Sequence, residues 1–180
     1  MISEAARVYA EGLFSLAEET ETVKEKKEQA VMLREIISES DDLSAFLSAV
    51  RVSKEEKETL IDKVFSASLD HDMCNFLKLL VSKDRTYYLK EILGHFIALC
   101  NEKLGIECAD IYSARKLTDE DYERIRKALE KMRGKTIQIT KHINPALIAG
   151  IRVKIGSTVM DASVQKQIDE MKKNLLKGVR

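Results

Sequence analysis

No proline interrupts residues 1–104, and only Gly12 and Gly94 lack a side chain there. A stretch so nearly free of the two strongest breakers stays helical wherever apolar residues recur at i, i+3 and i+4. Ala6, Tyr9, Ala10, Leu13, Phe14 and Ala17 line one face over about residues 3–19. Val23, Ala30, Leu33 and Ile37 continue the pattern to residue 39, and Leu43, Phe46, Leu47 and Val50 mark a short third helix. Ser53-Lys54-Glu55-Glu56 is a capping box that opens a fourth, with Leu60, Ile61, Val64 and Phe65 inward. The fifth, near residues 70–81, is apolar over more than half its girth through Met73, Phe76, Leu77, Leu79, Leu80 and Val81. Leu89, Ile92, Leu93, Phe96, Ile97, Cys100 and Leu104 form the sixth, which Gly105 stops. Such short amphipathic helices predict an α-helical bundle.

Beyond Gly105 the texture changes. Ile106 to Ser113 reads as a strand with imperfect alternation. Thr118-Asp119-Glu120-Asp121 caps a helix whose inner face is Tyr122, Ile125, Leu129 and Met132, closed by Gly134. Residues 136–140 alternate around Ile137 and Ile139. Then N-P-A-L-I-A-G-I-R-V-K-I-G-S-T-V-M-D-A-S, Asn144 to Ser163, brings the single proline and the clearest strand. Ile151, Val153 and Ile155 alternate with Arg152 and Lys154, Gly156-Ser157 fits a two-residue turn with positive φ at its first position, and Val159 to Asp161 offers the return strand. Ser163 is placed to cap a last helix carrying Val164, Ile168, Met171 and Leu175. The order β-α-β-β-β-α predicts a small sheet covered by two helices. The expected architecture is therefore an N-terminal six-helix bundle over residues 1–104 and a C-terminal α+β domain over residues 105–180.

Charge divides at the same place. Residues 1–104 carry 14 Lys+Arg against 20 Asp+Glu, and residues 105–180 carry 16 against 10, so a net charge of zero hides an acidic part and a basic part. Two surfaces for different partners fit this division, as does uneven charge on a solvated protein. No run approaches the roughly 18 apolar residues of a membrane span. The N-terminus shows no apolar signal-peptide core, and three cysteines without C-x-x-C spacing are expected to be reduced thiols of a cytosolic protein.

Catalytic constellations are thin. His71 and Cys74 share a helix face but no third ligand accompanies them, so a metal site is not expected. Gly150 and Gly156 have five residues between them, not the four of a phosphate loop, and lack its lysine. The chain is therefore expected to be no enzyme, with no catalytic, metal or cofactor site. A nucleic-acid-binding adaptor is the alternative function: Lys166, Lys172, Lys173, Lys177 and Arg180 gather on the last helix, but Tyr112 and Tyr122 are the only aromatics after residue 104.

A surplus of apolar residues is more suggestive. Tyr9, Gly12 and Leu13 sit beside the Ala6/Ala10/Ala17 stripe, and Leu79 lies off the inner row of helix five. They are either core or the walls of a groove that receives a partner helix. Three anchors would contribute roughly 5–9 kcal/mol gross, and ordering a free segment removes roughly 2–5 of it. Firm attachment then needs a second contact through the other domain.

Three strings carry a family resemblance. A-R-V-Y-A-E-G-L-F (Ala6 to Phe14), N-F-L-K-L-L-V-S-K-D-R (Asn75 to Arg85) and I-N-P-A-L-I-A-G-I-R-V-K-I-G-S-T-V-M-D-A-S (Ile143 to Ser163) resemble the opening, helix five and C-terminal signature of the F-type ATP synthase delta subunit family, which includes the mitochondrial oligomycin-sensitivity-conferring protein. The third is the most specific. Val8 stands where the family has proline, Ala149 where it has the first of two glycines, Ser157 for an Asp and Ala162 for a Gly. The resemblance implies a peripheral-stalk connector that joins the alpha subunits of the catalytic head to the b subunits, so that proton flow is coupled to ATP synthesis. It implies that residues 1–104 bind the N-terminal helices of the alpha subunits, with Tyr9, Gly12, Leu13 and Leu79 on that face. Residues 105–180 would bind the b subunits, with Val164, Ile168 and Met171 serving only as core of the last helix. The chain is then expected to be a monomer when isolated, without a nucleic-acid partner, and peripheral to the cytoplasmic face of the cell membrane through the complex.

Overall fold

The structure, a computed structural model, describes residues 3–49 and 51–177, with side chains for all of these except Asp41 and residues 172–177. It divides into two compact units, Met1–Leu104 and Gly105–Arg180.

The first unit is helical: α1 (Glu4–Glu19), α2 (Val23–Glu39), α3 (Asp41–Ser48), α4 (Lys54–Phe65), α5 (His71–Ser82) and α6 (Leu89–Lys103), with a 3₁₀ turn at Thr86–Tyr88. Side-chain oxygens of Ser3, Ser40, Ser53 and Asp70 accept first-turn backbone N–H groups that the helix itself leaves unpaired. The Ser53/Glu56 capping box is closed in both directions. Ala6, Ala10 and Ala17 are wholly buried, and these small side chains let α1 lie close against α6. The core continues through Leu33, Ile37, Ile61, Phe65, Met73, Leu80, Ile92 and Phe96. The backbone N–H of Ser3 donates to Glu91 Oε1 at 2.6 Å, tying the start of α1 to α6.

Two apolar expectations change. Val64 is exposed, because α4 packs chiefly on α5 and buries only the i+4 row Lys57, Ile61 and Phe65. Leu104 is also exposed at the end of α6. Val50 lies outside the described residues. The sequence pattern also gave no sign that Lys26 would be buried. Its ammonium lies 2.8 Å from Asp70 Oδ2 and 2.8 Å from Asp72 Oδ2. Burial alone would lower its pKa, but the hydrogen bonds to the two carboxylates outweigh this and hold it above the ordinary 10.5.

The second unit comprises β1 (Ile106–Ser113), α7 (Asp119–Arg133), β2 (Thr136–Ile143), a 3₁₀ turn (Pro145–Leu147), β3 (Ile151–Ile155), β4 (Thr158–Asp161) and α8 (Val164–Lys177). The sheet order is β2-β1-β3-β4. β1 and β2 are parallel, which requires the α7 crossover, and the other pairs are antiparallel. Ile111 sits opposite both Lys141 and Val153. Ala109, Ile111, Ile137, Val153 and Ile155 form the buried face, on which α7 lays Tyr122 and Leu129. The Thr118/Asp121 box starts α7, and Gly134 ends it in the left-handed region at φ 67°. Gly156 alone supplies the positive φ of the β3–β4 turn, at 57°.

The covering of the sheet differs from the expectation. Among the described residues only α7 contributes helical side chains to this apolar cluster, while α8 packs on the Pro145–Leu147 turn. Met132 is exposed because the end of α7 is held by polar links instead: Arg133 to Glu107 at 2.9 Å, and Glu130 accepting the Ile137 N–H at 3.2 Å. Met171 is exposed as well, so it is not core, whereas Val164 and Ile168 are half-buried. The side chain of Leu175 lies outside the described residues. Ser163 caps α8 as expected, its Oγ accepting the Lys166 N–H at 3.3 Å.

One turn is strained. Ile148 has φ 64° and ψ −59°, and the Ala149 N–H donates to the Leu147 carbonyl at 2.7 Å, which makes a γ-turn of the unfavourable positive-φ kind. Its side chain is 59% exposed.

Candidate functional site

Within the first unit, α1 and α5 run beside a groove of about 360 Å³. From α1 come Val8, Tyr9, Gly12, Leu13 and Leu16, two adjacent rows at four-residue spacing. From α5 come Asp72, Asn75, Phe76 and Leu79, at i, i+3, i+4 and i+7. Helical periodicity therefore puts each set on one wall. Leu13, 2% exposed, and Phe76 make the floor, while Val8, Leu16 and Leu79, the last 43% exposed, make the rims. The groove is open beside Gly12, where a Cβ meets nothing within 4 Å.

The four residues singled out from the sequence, Tyr9, Gly12, Leu13 and Leu79, all line this groove. Leu13 belongs to the core as well, so for that residue both readings hold. Sequence reasoning missed Val8, Leu16, Phe76, Asn75 and Asp72 as lining residues. Asp72 carried a usable signal, since it sits seven residues before Leu79 and so on the same row. Asp72 Oδ2 is held by the buried Lys26 ammonium.

The second unit has a more polar recess between α7 and β2, lined by Ile106, Tyr122, Arg126, Ile137 and Ile139 among others. Lys141 spans it, 2.9 Å from Asp119 and 4.3 Å above the Tyr122 ring. On the opposite sheet face Tyr112 stacks on His142 at 4.6 Å, and His142 Nε2 lies 2.9 Å from Asp110 Oδ1. From the basic set on the last helix, Lys166 is paired with Glu170 at 3.7 Å. The side chains of Lys172, Lys173 and Lys177, and all of Arg180, lie outside the described residues.

His71 and Cys74 remain unaccompanied: among the described residues no group of three His, Cys, Asp or Glu could hold a metal ion. Burial raises the Cys74 thiol pKa, and it pushes that of Cys100 up to about 11. Neither is an activated nucleophile. Among the described residues no helix is long and apolar enough to cross a membrane.

Known proteins match this arrangement along nearly its whole length. The family model described as ATP synthase delta (OSCP) subunit matches residues 5–175. The ATP synthase subunit delta of Mycoplasma mobile is 31% identical, covering 98% of each chain. That of Chlorobium chlorochromatii is 32% identical over 96% of each. In fold, a chain of the Toxoplasma gondii mitochondrial ATP synthase hexamer is similar with a TM-score of 0.76 at 16% identity, covering 97% of this chain and 98% of that one. On the span of the family match and the full-length relatives, this chain belongs to the ATP synthase delta (OSCP) subunit family, the non-catalytic connectors of the peripheral stalk.

Proposed function

We infer that residues 1–104 attach the chain to the catalytic head, by receiving the N-terminal helix of an alpha subunit in the groove between α1 and α5. Residues 105–180 hold the b subunits of the stalk. The observation that carries this reading is the groove itself, a largely apolar recess of about 360 Å³ between α1 and α5 with open space beside Gly12. Helix-in-groove docking requires a long apolar trough with rims able to close on i, i+3 and i+7 anchors. Tyr9 and Leu79 are the anchors in this reading, and Gly12 permits the close approach. The two attachments hold the head still against the turning rotor, so that proton flow is coupled to ATP synthesis. The chain is then peripheral to the cytoplasmic face of the membrane through the complex, and a monomer when isolated.

Titration of the full chain with a synthetic peptide of the alpha N-terminal segment tests the head contact. Unchanged affinity in Tyr9→Ala and Gly12→Trp, with the fold intact, removes these residues from the site. Stripping the chain from membranes tests the connector role: hydrolysis in the released head is expected to persist while proton pumping is lost.

A further inference from the structure

We propose that the α1–α5 groove reads charge as well as shape, with Asp72 as the specificity residue that selects a docking helix bearing a lysine or arginine beside its apolar stripe. This rests on the docking reading above and adds the chemistry of the segment that fits. Among the described residues lining the groove, Asp72 alone is charged.

Its partner inside the protein is placed out of reach. Lys26 is 1% exposed, whereas the Asp72 side chain is 41% exposed. An incoming helix therefore meets the carboxylate and not the ammonium. Lys26 is also shared with Asp70 at 2.8 Å, so two carboxylates are balanced by one cation and the cluster keeps a net negative charge. The tether has a second effect. With Oδ2 fixed by Lys26, Asp72 cannot swing out to water when the groove fills, and little further ordering is needed to present Oδ1.

Docking strips water from this carboxylate. A cation opposite it makes a charge-assisted hydrogen bond, a neutral residue leaves it under-solvated, and a carboxylate is repelled. On α1 neither Arg7 nor Glu11 lines the groove, and the two pair with each other at 3.6 Å. The excess of acidic over basic residues in positions 1–104 has the same sign as Asp72. Register follows as well. Asp72 lies seven residues from Leu79 along α5, about 10 Å at helical rise. The basic residue of the occupant is thus two turns from the apolar residue that meets Leu79.

The experiment is a double-mutant cycle read by calorimetric titration of the full chain. Its probe is the synthetic alpha N-terminal peptide, with each Lys and Arg replaced in turn by Gln. One replacement is expected to weaken binding to the wild-type chain about tenfold, and to change binding to Asp72→Asn by less than about twofold. An equal loss in both proteins, or no single replacement that weakens binding, overturns the charge reading and leaves the docking reading standing. Failure of the unaltered peptide to bind the wild-type chain overturns both. Asp72→Asn leaves Asp70 beside Lys26, and Asp72→Ser provides a second variant should the first lose its helical circular dichroism.

Discussion

The Ala162 carbonyl oxygen occupies the space where a Cβ on Gly150 would lie, closer than the 3.0 Å below which real Cβ atoms are essentially never found. Gly150 also has φ 87°, so it is required twice, by conformation and by contact. The same junction is sewn by the Ala162 N–H to the Ile151 carbonyl at 2.9 Å and the Val164 N–H to the Ala149 carbonyl at 2.9 Å. Gly150→Ala is expected to destabilise the second unit by about 2–4 kcal/mol through strain and the loss of these bonds. Urea unfolding followed by exchange protection of the Val164 amide checks it.

Ile148 makes the opposite case. Its positive φ costs about 1–3 kcal/mol, and glycine there would lose about 0.5–1 in chain entropy. Ile148→Gly is expected to raise the melting temperature of the second unit, by several degrees for a net gain of about 1 kcal/mol. A lowered melting temperature would mean that the exposed isoleucine contributes packing that its environment does not suggest.

Removal of Lys26 leaves Asp70 and Asp72 facing each other without a cation. Lys26→Met is expected to cost about 1–3 kcal/mol, below the range for fully buried pairs because both carboxylates are partly exposed. The sign with pH is fixed by the shifts. Burial opposes the charge on Asp70, yet Lys26 and the Met73 N–H hold its pKa below 3.8, so this contribution is present above that value and is lost as pH falls through the lowered one. Lys26, raised above 10.5, contributes fully below 10.5 and loses its part as pH rises through its folded value. The difference between wild type and Lys26→Met is therefore expected to be flat at neutral pH and to shrink at both extremes, as measured by denaturant midpoints.

Asp161 provides a sharper acid signature. The Ser163 hydroxyl, then the Ser163 N–H and the Arg152 guanidinium, outweigh burial and bring its pKa down to about 2. A depressed carboxylate stabilises the fold above its ordinary 3.8 and loses that stabilisation between there and about 2. Asp161→Asn is expected to lower the melting temperature at neutral pH, with the two proteins converging near pH 2. The carboxyl carbon shift of Asp161, followed by NMR, reports the same midpoint directly.

For the groove, Leu79→Ala is expected to weaken the alpha peptide about tenfold or more while barely moving the melting temperature, since anchors at an interface cost binding and not folding. Gly12→Trp is expected to abolish binding with the fold retained, because its side chain enters the groove and not the core. A large drop in stability for either variant would place these residues in the core instead.

These outcomes also separate what the sequence could show from what it could not. Helix spacing, the Ser53/Glu56 and Thr118/Asp121 boxes, and the Gly156-Ser157 turn were legible because each depends on residues a few positions apart. Val64, Met132 and Met171 were misplaced because their burial depends on which neighbour packs against that part of the face, and period alone does not say. Lys26 and its two carboxylates come together over more than forty positions, with no local sign. The parallel pairing of β1 with β2 accords with the helix read between them, but the order β2-β1-β3-β4 across the sheet has no local sign. Part of the groove is legible through off-stripe residues such as Leu79; Asp72 shares the row of Leu79, but that signal is hidden because a carboxylate near a helix start reads as an ordinary cap-side residue.

The packing of α1 on α6 has a consequence in time. α1 buries its alanine row against α6, with Ser3 fastened to Glu91 across 88 positions, so during synthesis α1 lacks this packing until α6 has emerged. Contacts of such long separation form late and together. Because α1 is also one wall of the groove, a chain that stops before α6 leaves that wall without its packing partner. On the docking reading proposed above, the groove is complete only in a unit that has finished folding.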